Sequence, residues 1–170
     1  MQDVTLRNSA YWTQDYEKCN GVIVRGVKVY SHANWNNDGL DIDSRNVVVS
    51  DCYIDCDDDA LCLKSDTDTP CENVTVTNCV LKSNCNAIKF GTSSYSGFKN
   101  VTISNCTIDR ASEDHIRQWY KNYPWIGTKH KTVVAGIALE SVDGGIIENV
   151  SISDIAMQGV QTPIFVRLGD

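Results

Sequence analysis

Short runs of alternating apolar and polar residues recur along the chain at a nearly constant interval. One phrase opens with an asparagine and continues with β-branched residues at alternate positions, and its copies start at residues 20, 46, 73, 100 and 149. The intervals are 26, 27, 27 and 49 residues, and we interpret the last as about two repeats. Alternation of this kind is typical of a short β-strand with one buried face.

A second alternating phrase interleaves with the first. Its copies lie at 39–42, 60–63, 87–90, 136–139 and 163–166, with turn-forming Asn, Asp, Gly and Ser residues between the strands. No amphipathic helical pattern separates them. Internal repeats of this length predict an all-β fold, a right-handed parallel β-helix of about six to seven coils spanning residues 1–170 as one domain.

Cysteine positions follow the same repeat. Cys52, Cys79 and Cys106 are 27 residues apart, which predicts an inward-facing stack of reduced thiols. Cys71 and Cys85 lie outside that register, and we expect them to pair. The eight cysteines therefore do not fix the redox compartment.

Asparagines at the starts of the strands are suited to ladders, because Asn tolerates left-handed backbone and bonds to the next coil. Four N-glycosylation sequons fall inside these phrases, and we interpret them as accidental. They begin at Asn73, Asn100, Asn105 and Asn149.

The repeat is interrupted at residues 109–134, an aromatic-rich excursion that contains His115 and Arg117. It is either a functional loop or a flap packed on the coils. The last residues, 166–170, stop within a phrase and no cap is apparent. We therefore expect either a fragment of a longer chain or a partner that covers the solenoid ends.

The composition of the chain restricts the classes of partner that we expect it to bind. The net charge of −7 argues against nucleic acid and anionic membranes. No apolar run is long enough to span a membrane, and residues 1–4 do not resemble a signal peptide.

The candidate chemistry lies where two repeats begin with acidic residues. Superposing Leu40 on Leu61 places Asp38 beside Asp59, about 4.8 Å apart in neighbouring coils, and Asp58 adds a third carboxyl. Close carboxylates raise one another's pKa. One protonated acid and one carboxylate are what an inverting glycosidase needs.

Other residues of this face complete the predicted site. Lys64 and Lys89 could receive a sugar carboxylate. Acidic turns also cap backbone amides or bind Ca²⁺ in solenoids, and Asp43 with Lys64 could be a surface pair. The predicted substrate-binding residues are Asn36, Asp41, Lys64, Asn86, Lys89 and Glu140.

The motifs 36–39 and 58–64 resemble the first two signatures of glycoside hydrolase family 28, the polygalacturonase-like pectin hydrolases. The resemblance covers nearly the whole chain. It implies a general acid at Asp58, water activation by Asp38 and Asp59, an inverting reaction without metal or cofactor, and an extracellular or periplasmic location. The substrate it implies is a galacturonic acid-containing or related polysaccharide.

Two signatures of that family are altered. Asn86 replaces the family's histidine, and Ala138 and Glu140 replace its two cations. Lys89 lies one repeat before Ala138 and could partly substitute for them. A non-catalytic carbohydrate-binding or structural β-helix is the alternative, and a polysaccharide lyase using Ca²⁺ and a basic residue is a further one.

Overall fold

The computed structural model of the protein describes residues 1–113 and 133–169, in which the regular structure is β-strand. The strands are β1 (Thr5–Arg7), β2 (Asp15–Arg25), β3 (Lys28–Ser31), β4 (Leu40–Ser50), β5 (Tyr53–Cys56), β6 (Leu61–Ser65), β7 (Cys71–Thr77), β8 (Val80–Ser83), β9 (Asn86–Ser94), β10 (Phe98–Arg110), β11 (Val133–Ser141), β12 (Ile147–Met157) and β13 (Val160–Leu168). Within the described residues no helix could cross a membrane.

All strand pairs are parallel, and the chain winds as a right-handed β-helix of about five coils. The strands stack in three columns: β1-β3-β5-β8-β10-β12, then β2-β4-β7-β10-β12, then β2-β4-β6-β9-β11-β13. Long strands bend and so belong to two columns. In β4, for example, Leu40 pairs with Leu61 of β6, whereas Val47 pairs with Val74 of β7.

The number of coils is smaller than the interval of 49 residues suggested. Strand β10 pairs directly with β12, with Val101 beside Val150. The interval of 49 residues therefore spans one coil and not two, because backbone pairing constrains the strands but not the number of residues that connect them. Strand β10 extends to Arg110 and β11 begins at Val133; His115 and Arg117 lie outside the described residues.

The predicted inward positions form the core. Each coil contributes apolar residues that stack on their equivalents above and below, and those of the third column are buried at Leu40, Ile42, Leu61, Leu63, Ile88, Phe90 and Ile137. The register of β9 with β11 is the predicted one, with Ile137 beside Ile88. Period-two alternation thus sets the inward and outward faces correctly.

The three cysteines predicted to stack are buried in this core as free thiols. Each sulfur donates to the carbonyl two residues earlier, at 3.2 Å. The predicted pairing of Cys71 with Cys85 is wrong, since all eight cysteines are free. Cys71 begins β7 of the second column, whereas Cys85 precedes β9 of the third, so the two thiols lie at different corners of the coil.

An asparagine ladder runs along one outer corner. Each side-chain nitrogen donates to the side-chain oxygen of the preceding coil at 2.7 to 3.1 Å, through Asn20, Asn46, Asn73, Asn100 and Asn149. The last four have φ values of 53° to 56°. Asparagine suits this corner because it tolerates left-handed backbone and its amide both donates and accepts.

Replacing Asn73 by alanine tests the ladder. The variant loses two side-chain hydrogen bonds and places a Cβ-bearing residue without a local polar partner at a φ of 55°. We expect a loss of about 1–3 kcal/mol in unfolding free energy, measured by urea denaturation. Asn73→Gly, which tolerates that φ, should lose less. An alanine variant with the wild-type midpoint would show that the ladder contributes nothing.

Candidate active site

Three consecutive bends at the start of the third column bring the acidic residues together. The bends precede β4, β6 and β9, and because these strands are parallel and in register their preceding residues stack. Gly39 donates its amide to the Asp59 carbonyl at 2.8 Å, which ties the first bend to the second. A Cβ at Gly39 would collide with the Ile54 side chain and the Ala60 carbonyl, so this contact requires glycine.

Asp59 has the bonding pattern of a carboxylate. Its Oδ1 accepts from the backbone and side-chain nitrogens of Asn86 at 3.1 and 2.7 Å, and its Oδ2 accepts from Lys89 Nζ at 2.9 Å. Burial lowers the pKa of Lys89, but the neighbouring groups, with Asp59 foremost among them, together raise this pKa above its usual value. Asp59 is 2 % exposed, so the ion pair is largely shielded from water.

Asp58 is the most exposed of the three predicted catalytic acids, at 8 %. Its backbone nitrogen donates to Asn37 Oδ1 at 3.0 Å, and its Oδ1 accepts from the Asp59 nitrogen at 2.9 Å. Its carbonyl accepts from Ser83 Oγ at 2.6 Å. These bonds fix the Asp58 backbone and one of its carboxyl oxygens, and this carboxyl group lies at the more exposed rim of the cluster.

Asp38 is buried among other carboxyl groups. Burial raises its pKa to about 9, with further increases from Asp41, Asp59 and Asp58, and Lys64 opposes the shift. Lys64 Nζ lies 4.0 Å from Asp38 Oδ2. At neutral pH Asp38 is therefore a protonated acid, in contrast to Asp59.

Lys64 is held between a carboxylate and an aromatic ring. Its Nζ lies 3.2 Å from Asp41 Oδ1 and 4.4 Å from the centre of the Trp12 ring. Burial raises the pKa of Asp41 to about 7, while Lys64 lowers it. The ammonium thus offsets part of the cost of burying Asp41.

Most of the predicted site residues converge, and two do not. The residues brought together are Asp38, Asp41, Asp58, Asp59, Lys64, Asn86 and Lys89. Asn36 lies in an exposed turn with a φ of 50°, and Glu140 lies in β11 beside Arg167 of β13. Within the described residues, no hydrogen bond or ion pair joins Asn36 or Glu140 to the acids.

Asp43 does not form the surface pair with Lys64 that the repeat allowed. Its carboxylate accepts from the Asp66 nitrogen at 2.8 Å and from Thr67 Oγ1 at 3.3 Å. It therefore organises the loop after β6, while Lys64 turns to Asp41. Lys89 lies beside Ala138 as predicted, but its ammonium pairs with Asp59.

The sequence interpretation overlooked Asn37 and Trp12. Asn37 is fully buried and holds the Asp58 backbone, a role that its place directly before Asp38 could have suggested. Trp12 lies in the irregular segment before β2, outside the repeated phrases, and no periodic signal places it beside Lys64.

Among residues 1–113 and 133–169, two sets of side chains are spaced closely enough for a metal ion. The ligand atoms of Asp38, Asp41 and Cys62 lie within 4.8 Å of one another, as do those of Asp58, Asp59 and Cys85. In the first set Lys64 already supplies a cation, and burial raises the pKa of the Cys62 thiol, which disfavours the thiolate a metal needs. In the second, Lys89 already pairs with Asp59.

Comparison of the chain with protein-family models, with curated proteins and with solved structures finds no match.

The protonation of Asp38 predicts how stability depends on pH. Its folded pKa of about 9 exceeds the ordinary value of 3.8, so the folded protein retains a proton that the unfolded chain releases. Its stabilising contribution is complete below about pH 4 and is lost as the pH rises toward 9. We expect the wild-type melting temperature to fall over this window, measured at constant ionic strength.

Asp38→Asn should flatten this decline, most clearly above about pH 7, because Asp41 contributes in the same direction up to about pH 7. Asp68→Asn, at an exposed position, serves as the matched control and should keep the wild-type slope. An Asp38→Asn variant as pH-sensitive as the wild type would contradict the assignment of the proton to Asp38.

Lys89→Met tests the buried ion pair. The substitution leaves the Asp59 carboxylate buried without its ammonium, and we expect a loss of about 3 kcal/mol in unfolding free energy by urea denaturation. The double variant Lys89→Met/Asp59→Asn removes both charges and should recover most of the loss. Equal stability of the two variants would show that the charges are not coupled.

Proposed function

We propose that the protein is a glycoside hydrolase that cleaves a polysaccharide by an inverting acid–base mechanism. The observation that carries this proposal is the contrast between two neighbouring carboxyl groups. Asp59 is held by Lys89 and Asn86 as a carboxylate, whereas burial among acids keeps Asp38 protonated. This contrast would let Asp59 accept a proton from a water molecule while Asp38 donates a hydrogen bond to the same water.

In the proposed reaction, Asp58 gives a proton to the glycosidic oxygen as the bond to the anomeric carbon breaks. Asp59 accepts a proton from a water molecule, and the water oxygen attacks the anomeric carbon from the opposite side. Asp38, in its protonated form, hydrogen-bonds to that water and helps to orient it. The resemblance to glycoside hydrolase family 28 supports Asp58 as the acid, and its position at the rim of the cluster agrees with that role.

The resemblance also supports a pectic or related polysaccharide as substrate, and an extracellular or periplasmic location. The lysines expected to bind a sugar carboxylate are already engaged, Lys64 by Asp41 and Lys89 by Asp59. Binding of a uronate by either lysine would therefore compete with an aspartate. Substrate selection consequently depends on contacts beyond these two ammonium groups.

A non-catalytic carbohydrate-binding protein is the second candidate. It is favoured by the replacement of the family's histidine with Asn86, whose side-chain nitrogen is used in holding Asp59. A polysaccharide lyase is less well supported. It would need an unprotonated base, and the raised pKa of Lys89 keeps that side chain charged.

Reducing-sugar release from pectic and neutral polysaccharides tests the proposal, with wild type beside Asp58→Asn. Removal of a general acid should lower the rate about 10²–10⁴-fold. Asp68→Asn, a control that makes the same chemical change at an exposed site, should keep full activity. Proton NMR of the first product should show inversion at the anomeric carbon. Equal rates for the wild type and the Asp58→Asn variant would overturn the mechanism.

A further inference from the structure

The first coil carries two adjacent aromatic residues at the position where the next two coils carry the acidic bends. Tyr11 and Trp12 lie between β1 and β2, and the segment is fixed to the second coil by backbone hydrogen bonds. Thr13 donates to the Asp38 carbonyl at 2.8 Å, and Asp41 donates to the Gln14 carbonyl at 2.9 Å. The aromatic pair therefore lies against the bend that carries Asp38.

The two rings have different surroundings. Their centres are 5.1 Å apart, with planes inclined at 35°. Trp12 is partly buried and lies under the Lys64 ammonium, which is also paired with Asp41. Tyr11 is 53 % exposed. Trp12 is thus anchored to the site through a cation–π contact, and it supports a neighbour whose ring faces water.

We propose that Tyr11, supported by Trp12, forms a sugar-binding subsite beside the acids and packs against one pyranose ring of the polysaccharide. This inference rests on the proposed function and specifies how that site holds its substrate. The C–H face of a pyranose is apolar, and an aromatic ring offers it a large, rigid contact area at a small entropic cost.

The spacing of the coils agrees with this placement. The aromatic pair belongs to the first coil, whereas Asp58 and Asp59 belong to the third. Neighbouring coils are about 4.8 Å apart, close to the length of one sugar unit in an extended chain. A polysaccharide lying along the solenoid axis would therefore place a sugar on Tyr11 about two units from the bond that is cleaved.

The test is the binding of defined oligogalacturonides by calorimetry, in the Asp58→Asn background so that turnover does not interfere. Adding Tyr11→Ala should weaken binding of a five-unit oligosaccharide about tenfold. Binding of a two-unit oligosaccharide should be unaffected, because only the longer chain reaches from the acids to Tyr11. Tyr11→Ala keeps the contact between Trp12 and the Lys64 ammonium and removes only an exposed ring, so folding should be preserved, which thermal unfolding checks.

Tyr95→Ala is the matched control. Tyr95 is also an exposed tyrosine, but it follows the end of β9, whereas the acidic bends lie at the starts of the strands in this column. It should bind both oligosaccharides as the background protein does. Trp12→Phe keeps an aromatic face under Lys64 and should fall between the control and Tyr11→Ala.

The outcomes separate this inference from the proposed function. Equal affinity with and without Tyr11, or no binding of the five-unit chain, overturns the subsite, and wild-type turnover would still support the hydrolase. If the wild type releases no sugar but Tyr11→Ala weakens binding of the longer chain, the subsite stands and the protein binds the polysaccharide without cleaving it.

Discussion

Parallel backbone pairing between coils is the constraint on which the rest of the structure depends. Each strand is fixed in register to the strand one coil away, so residues at equivalent positions must stack at about 4.8 Å. The same rule builds the apolar core, the cysteine stack and the asparagine ladder. It also forces acidic residues of neighbouring bends together, at a separation that they would avoid in solution.

The site tolerates this crowding because its charges are divided among different environments. Asp59 and Asp41 each have an ammonium partner, from Lys89 and Lys64, whereas Asp38 remains protonated. Removing either lysine or ionising Asp38 would leave a buried negative charge without compensation. The electrostatics that would support acid–base chemistry are therefore also a limit on the stability of the fold.

The fold and the centre of the site were largely predictable, because both follow from a repeat visible in the sequence. Matching Leu40 with Leu61 was enough to place Asp38 near Asp59, and the column that contains Lys89 and Ala138 was also correct. What the repeat does not contain could not be predicted. The rotamer and the burial of a side chain such as Lys64 determine which of several nearby acids it pairs with, and the sequence periodicity encodes neither.

The errors have the same origin. Pairing Cys71 with Cys85 assumed that two residues outside the repeat register lie close together. The predicted number of coils was too high because the interval of 49 residues was interpreted as two repeats, whereas it spans one. Trp12 was overlooked because it lies in a segment without repetition. The positions of the periodic parts of the chain could thus be predicted from the sequence, whereas the positions of the irregular parts are known only from the structure.

The pairing of β10 with β12 shows that one coil can be enlarged by some twenty residues while the ladder on either side stays in register. Length variation is therefore separable from strand order in this architecture. Related chains could acquire, lose or exchange residues between two such strands without rebuilding their cores. Selection could then change these inserted residues while the acidic bends, two and three coils away, stay in place, and the same position would accept a grafted segment in protein engineering.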